Sequence, residues 1–129
     1  NKAMEKAKAT FDQFKKAFIE NQSNDRYHSF TIKIGFDSPK YGKEHMWLGD
    51  LKWDGDKFTG ILFNTPVDRD VKQKQGDTIV VDSAHISDWM YINTETGVTE
   101  GGYTFRAMRN AMSPEEKAEF DEQTGLKFE

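Results

Sequence analysis

Phe30-Thr31-Ile32-Lys33-Ile34-Gly35-Phe36 is the stretch whose reading decides the fold. Phe30, Ile32, Ile34 and Phe36 fall on alternate positions, while Ser29, Thr31 and Lys33 take the positions between. A period of two places the apolar set on one side of an extended chain, which predicts a half-buried strand from Tyr27 onward. Upstream the period is different. Met4, Ala7, Phe11, Phe14 and Phe18 recur at spacings of three and four, with Lys2, Glu5, Lys6, Lys8, Asp12, Gln13, Lys15 and Lys16 between them. That pattern predicts one amphipathic helix over residues 2–21, its phenylalanine stripe packed on its own domain. Asn21-Gln22-Ser23-Asn24-Asp25 contains turn formers and no apolar residue, so the helix ends there.

Downstream, Asp37–Gly42 reads as a loop and Glu44–Trp53 as a second strand, with Trp47, Leu51 and Trp53 on one face and Gly49 between them. Asp54-Gly55-Asp56 is a hairpin turn, because glycine takes the positive φ that tight hairpins need. A returning strand covers about 57–63 and stops at Asn64-Thr65-Pro66. Gln75-Gly76-Asp77 leads into the β-branched run Thr78-Ile79-Val80-Val81. Asp88–Ile92 is expected to pair with a segment near Val98–Tyr103. Gly101-Gly102 marks a bulge, a sharp bend or a close backbone approach. At the C-terminus, Ser113 reads as an N-cap, Pro114 as the first helical residue, Glu116 as the other half of a capping box and Gly125 as the C-terminal left-handed residue. The expected fold is α+β. One domain over residues 1–129 is built on a small, strongly bent antiparallel sheet of five or six strands, with a helix at each end.

Composition narrows the function classes. Of 129 residues, 36% are hydrophobic and 13% aromatic, including ten Phe, so the apolar mass sits largely in rings. With 18 basic against 22 acidic residues, the net charge is -4 and the lysines are scattered. Nucleic-acid binding is not expected without a basic stripe. There is no cysteine, so disulfides and thiolate metal sites are excluded. No apolar run approaches the roughly 18 residues of a membrane span. The chain opens at Asn1 rather than Met; a periplasmic location is expected if a leader was cleaved, and a cytoplasmic one otherwise.

Several motifs occur in a fixed order: Glu44-His45-Met46-Trp47, Gly60-x-Leu62-x-Asn64-x-Pro66, Gly76-Asp77 and Ile86-x-Asp88-Trp89-Met90-Tyr91. Gly101-Gly102-Tyr103-Thr104-x-Arg106 and Met112-Ser113-Pro114-Glu115-Glu116 follow. This ordered set resembles the bacterial DUF2314 family, which includes the YegJ-like proteins. The resemblance covers about 27–128 and leaves the N-terminal helix, residues 1–24, outside. It implies no activity, cofactor or catalytic residue. It is similar in style to small immunity proteins of bacterial toxin systems, and exported members of the family fit a chain without an initiator Met.

Candidate sites follow from the same segments. His28, His45 and His85 are the only histidines and form no H-x-x-x-H pair, so no metal site is expected. The glycines are spread through turns and form no phosphate loop, so no cofactor is expected. Ser83 lacks a G-x-S-x-G elbow, and no catalytic residue is assigned. Glu44 and Asp88 each stand beside aromatic strand residues, and Arg106 could neutralise one of them. The favoured reading makes both carboxylates structural, tying strands together as partners of backbone amides or of Arg106, ahead of a role in acid–base catalysis. Trp47, Trp53, Trp89, Tyr91 and Tyr103 form an aromatic set expected to be mostly core, any Trp left exposed being a natural interface anchor. The leading expectation is a non-catalytic domain that binds another protein, as an inhibitor or immunity-type factor, through Glu44, His45, Trp47, Asn64, Asp88, Trp89, Tyr91, Tyr103 and Arg106. The rival is an enzyme or small-ligand binder whose pocket is made by Glu44, His45, Asp88 and Arg106.

Overall fold

The strand announced by the period-two stretch is the spine of the molecule. In the computed structural model, which describes residues 1–129, β1 (Tyr27–Ser38) lies near the middle of a six-stranded antiparallel sheet. The others are β2 (Gly42–Trp53), β3 (Phe58–Leu62), β4 (Thr78–Val80), β5 (Ile86–Asn93) and β6 (Thr99–Gly101), in the spatial order β4-β3-β2-β1-β5-β6. Ile32, Ile34 and Phe36 are buried and Phe30 packs beside them, all on one face as the alternation requires. Helices α1 (Lys2–Ala9) and α2 (Phe11–Asn21) cover that face. Phe14 is fully buried, with the rings of Phe11, Phe18, Phe30, Phe58, Trp89 and Tyr91 all within 6.5 Å between centroids. A fully buried ring of this size contributes up to about 3 kcal/mol.

The expected single N-terminal helix is broken at Thr10, whose φ is -108°. The cause comes from the sheet. Trp89 on β5 donates its indole N–H to the Ala7 carbonyl at 3.1 Å and to Thr10 Oγ1 at 3.3 Å. Thr10 Oγ1 in turn donates to the Lys6 carbonyl at 2.7 Å. A side chain inserted at a helical carbonyl interrupts the ladder, and the amphipathic stripe continues across the break in two pieces.

The second correction concerns β2. Leu48 pairs with Leu62 and Gly49 with Ile61, but the next pair is Lys52 with Thr59, so Asp50 and Leu51 form a bulge. Asp50 has φ 47°, a left-handed conformation that Asp tolerates better than most residues. The extra residue switches the face of everything beyond it. Leu51 and Trp53 therefore join the core under the helices, whereas Trp47 points to the opposite face. Trp47 and Trp53 do not share a face as the uninterrupted alternation predicted.

The third correction is α3 (Tyr103–Asn110), a helix where the sequence suggested the end of a strand. Gly101 and Gly102 have φ of 77° and 65° and turn the chain out of β6. At Gly101 a Cβ would lie 2.2 Å from the Trp89 carbonyl oxygen, so only glycine fits this close approach. The last helix, α4 (Pro114–Thr124), begins and ends as its signals foretold. Ser113 Oγ accepts from the Glu116 amide, the Glu116 carboxylate accepts from the Ser113 amide, and Gly125 has φ 68°. Arg109 joins α3 to α4 through two 2.7 Å hydrogen bonds to Asp121. No helix is long and apolar enough to cross a membrane.

Candidate functional site

The carboxylate of Asp88 organises the second face of the sheet. It is fully buried on β5. Its Oδ1 accepts from the amides of Trp89 at 2.8 Å and Tyr103 at 3.0 Å. Its Oδ2 accepts from the Thr104 amide at 2.8 Å and from the Thr104 hydroxyl. Tyr103 and Thr104 open α3, so a buried anion stands at the start of that helix, where unpaired N–H groups and the helix dipole favour negative charge. Of the alternatives open for Asp88, the geometry is the backbone-amide one.

Beside it, Lys33 of β1 pairs in register with both Trp47 and Asp88. Its ammonium donates to Thr104 Oγ1 at 3.3 Å and lies 5.6 Å from the Trp47 ring centroid and 5.8 Å from that of Phe105. Burial pushes the Lys33 amine below its ordinary range, and the charge of Asp88 opposes that shift. Trp47 and Phe105 stack with centroids 5.5 Å apart and planes 9° apart, and Phe105 leans on Phe120 of α4. The cation is thus held between a carboxylate and two aromatic faces.

The remaining predicted residues are dispersed. Glu44 accepts from the amides of Val67 at 2.7 Å and Asp68 at 3.1 Å, which ties β2 to the long connection between β3 and β4. Within that connection Asp68 is buried and accepts from Ser38 Oγ, Lys40 N and Asp70 N, with Ser38 the main reason its carboxyl sits below the usual range. Asn64 accepts the Trp47 amide at 2.7 Å. Arg106 donates to the carbonyls of Gly101 at 2.7 Å and Thr99 at 2.9 Å, and its guanidinium stacks 4.6 Å over Phe128. It pairs with no carboxylate; the two ion pairs present are Lys43–Asp37 and Arg109–Asp121. Trp89 and Tyr91 are buried in the helix-covered core. Tyr103 is half-buried, edge-on to Trp89 and under the Lys6 ammonium.

Glu44, His45, Asp88 and Arg106 consequently line no common cavity. Glu44 and His45 are neighbours on one strand and take opposite faces, while Asp88 is closed over by α3 and Arg106 is turned toward β6. Of the four, His45 lines a cavity in company with Lys43 and His85. No group of three or more His, Asp or Glu side chains is placed to hold a metal ion. The second face also carries residues that sequence reasoning did not single out. Phe63 is 45% exposed and its ring covers Gly49, where a Cβ would lie 2.0 Å away. Alternation along β1 did mark Lys33 as lying opposite the core, but Phe105 became visible only once residues 103–110 were seen to be a helix.

A bent antiparallel sheet with α1 and α2 on one face, and an aromatic and cationic cluster beside α3 on the other, defines an α+β domain. The chain belongs to the DUF2314 family, described as an uncharacterised protein conserved in bacteria, and the match runs over residues 1–128. That span includes α1 and α2, which the ordered motifs alone had left outside. A protein of Neisseria meningitidis serogroup B (strain ATCC BAA-335 / MC58), named as an ankyrin repeat protein, is 35% identical over 133 residues. The alignment takes in 99% of this chain and 51% of that protein, so the chain spans about half the length of the curated relative it matches. No solved structure matches the chain.

Proposed function

We propose that this domain recognises another protein without catalysis, as an inhibitor or immunity-type factor does. The observation that carries the proposal is the second face of the sheet. There the Trp47–Phe105 stack is half-buried, and the neighbouring Phe63, whose amide bonds to the Trp47 carbonyl, is 45% exposed. Rigid aromatic rings on a sheet face are the kind of anchor that dominates protein interfaces, where one such residue contributes about 2 kcal/mol or more. The carboxylates that suggested acid–base chemistry are occupied by backbone amides: Asp88 at α3, Glu44 at Val67 and Asp68. Groups held in that way fix a surface in place. A relative named for ankyrin repeats supports the same reading, since repeat arrays present extended binding surfaces.

Relative to the expected residue set, the contact surface is redrawn. Trp47 and Phe63 serve as anchors and Tyr103 lies at one side, whereas Asp88, Trp89 and Tyr91 support the face from within. The test is a pull-down from lysate of the source bacterium with wild-type, Trp47→Ala and Phe63→Ala baits, each first shown by circular dichroism to be folded. One stoichiometric partner should be retained by wild type and lost by both variants. Its affinity should fall at least about tenfold, near 1.4 kcal/mol, for each. A partner held equally by all three baits, or no specific partner, would count against this surface.

A further inference from the structure

The short 3-10 turn Ser83–His85 carries His85 to the end of the sheet where His45 stands on β2, and a cavity of about 170 Å3 lies there. Lys8 of α1, Lys43 and His45 of β2, and His85 line it, with Met4 and Ile86 as apolar wall. Four basic side chains and no carboxylate line this cavity, in a chain whose net charge is -4. Gly35, opposite His45 in the β1–β2 register, supplies a bare floor; a Cβ there would come within 3.1 Å of the imidazole. Ser87 fixes the ring from β5. Its hydroxyl donates to the Lys33 carbonyl at 3.3 Å and lies 3.0 Å from His45 Nδ1. Imidazole and hydroxyl are thereby tied together, with the imidazole tautomer setting which of the two donates.

We propose that this cavity binds a small aliphatic carboxylate, its charge met by Lys43, His45 and His85 and its carbon chain by Met4 and Ile86. Its size sets the class. Pockets for drug-sized ligands begin at about 300 Å3, so nucleotides and common cofactors are too large, and an acid of a few carbons fits. A carboxylate at the rim already behaves as the proposal requires. Asp37, whose side chain is 93% exposed, accepts from Lys43 at 2.6 Å. Its carboxyl is held below the usual range chiefly by Lys43, with lesser contributions from His85 and Lys72. The charged groups around the His45 imidazole are Lys33 on β1, Lys43 on its own strand, Lys8 on α1, His85 in the 3-10 turn and Asp37 at the rim. Partial burial lowers the His45 pKa first, and the charges of Lys33 and Lys43 lower it further. A bound carboxylate reverses that balance, so binding and imidazole protonation reinforce one another.

The carboxylate can be a free acid or a glutamate side chain presented by a protein, and the experiment separates the two. The imidazole resonances of His45 and His85 are followed by NMR during titration with sodium butyrate, with N-acetylglutamate N-methylamide, and with inorganic phosphate as contrast. Butyrate, the glutamate derivative or both should shift both rings. Affinity should rise about threefold or more as pH falls from about 8 to about 6. Binding by butyrate alone identifies a free acid as the source, and binding by the glutamate derivative alone identifies a protein side chain. His85→Ala and Lys43→Ala, both at exposed positions, should each weaken binding about threefold. Asp37→Asn should strengthen it, because the rim carboxylate no longer competes for Lys43. The proposal is overturned if neither carboxylate moves the two rings at tens of millimolar. It is equally overturned if phosphate matches them with no pH dependence, or if all three substitutions leave the titrations unchanged. None of these readouts depends on a protein partner, so failure here and failure of the protein-recognition reading are distinguishable.

Discussion

The two faces of the sheet are built by different physics. Under α1 and α2, fifteen apolar residues pack into one continuous cluster with Phe14 at its centre. On the other face, Lys33, Trp47, Asp88 and Thr104 interlock through hydrogen bonds and cation–ring contacts, and Thr31 Oγ1 is buried with no partner. The first face is non-directional and tolerant of repacking, while the second depends on geometry and on paired charges. A face of the first kind supplies stability. The second kind costs stability wherever a partner is missing.

Substitutions can break or sharpen this contrast. Phe14→Ala removes the ring at the centre of the helix-covered core and should lower the free energy of unfolding by about 3–5 kcal/mol in urea titration. Asp88→Ala should cost somewhat less, about 3 kcal/mol, because it leaves the buried amides of Tyr103 and Thr104 without their acceptor at the start of α3. Hydrogen exchange should then show α3 opening before the core; uniform loss of protection would mean that the two faces unfold as one. Trp47→Ala should cost only about 1–2 kcal/mol, since its ring is half-buried. A loss equal to that of Phe14→Ala would make Trp47 a core residue and weaken its case as an anchor. Ser113→Ala, which removes the cap of α4, should cost about 1 kcal/mol and leave the thermal unfolding of the helix-covered core otherwise unchanged.

The smallest effect is one of pH. The folded-state pKa of His45 is depressed, so the unfolded chain takes up a proton more readily than the folded one. This group therefore contributes stability above the unfolded imidazole value near 6.5, and that contribution is lost as pH falls through it toward the folded value. Thermal unfolding midpoints should drop slightly over that window for wild type and less for His45→Gln. A midpoint that rises on acidification in wild type alone would mean that His45 faces a carboxylate, contrary to the basic lining of its cavity.

Much of this was legible in the residues. The alternation of Phe30, Ile32, Ile34 and Phe36 put β1 in place with its buried side correctly assigned. The Phe11, Phe14 and Phe18 stripe identified the helical cover, and Ser113, Pro114, Glu116 and Gly125 marked both ends of α4. Such signals are local: each depends on φ/ψ preference or on side-chain period within one element. The break at Thr10, the turn of Trp47 away from Trp53 and the helix at Tyr103 escaped for a common reason. Trp89 meets Ala7 from 82 positions away, the bulge at Asp50 is visible only against β3, and α3 starts on a carboxylate from β5.

The site residues divided along the same line. Chemistry-bearing types could be picked out by eye, but whether they converge is a property of the assembled sheet. Glu44 and His45 are adjacent in the chain and on opposite faces in space, whereas His45 and His85, forty positions apart, line one cavity. The sequence by itself determined the class of fold, the strand and helix inventory in outline and the family, because these follow from composition, period and ordered motifs. Tertiary structure decided which carboxylates are buried partners of amides, which aromatic rings reach the surface and which basic side chains gather. Those outcomes depend on strand register and bulges, where one added residue exchanges inside for outside.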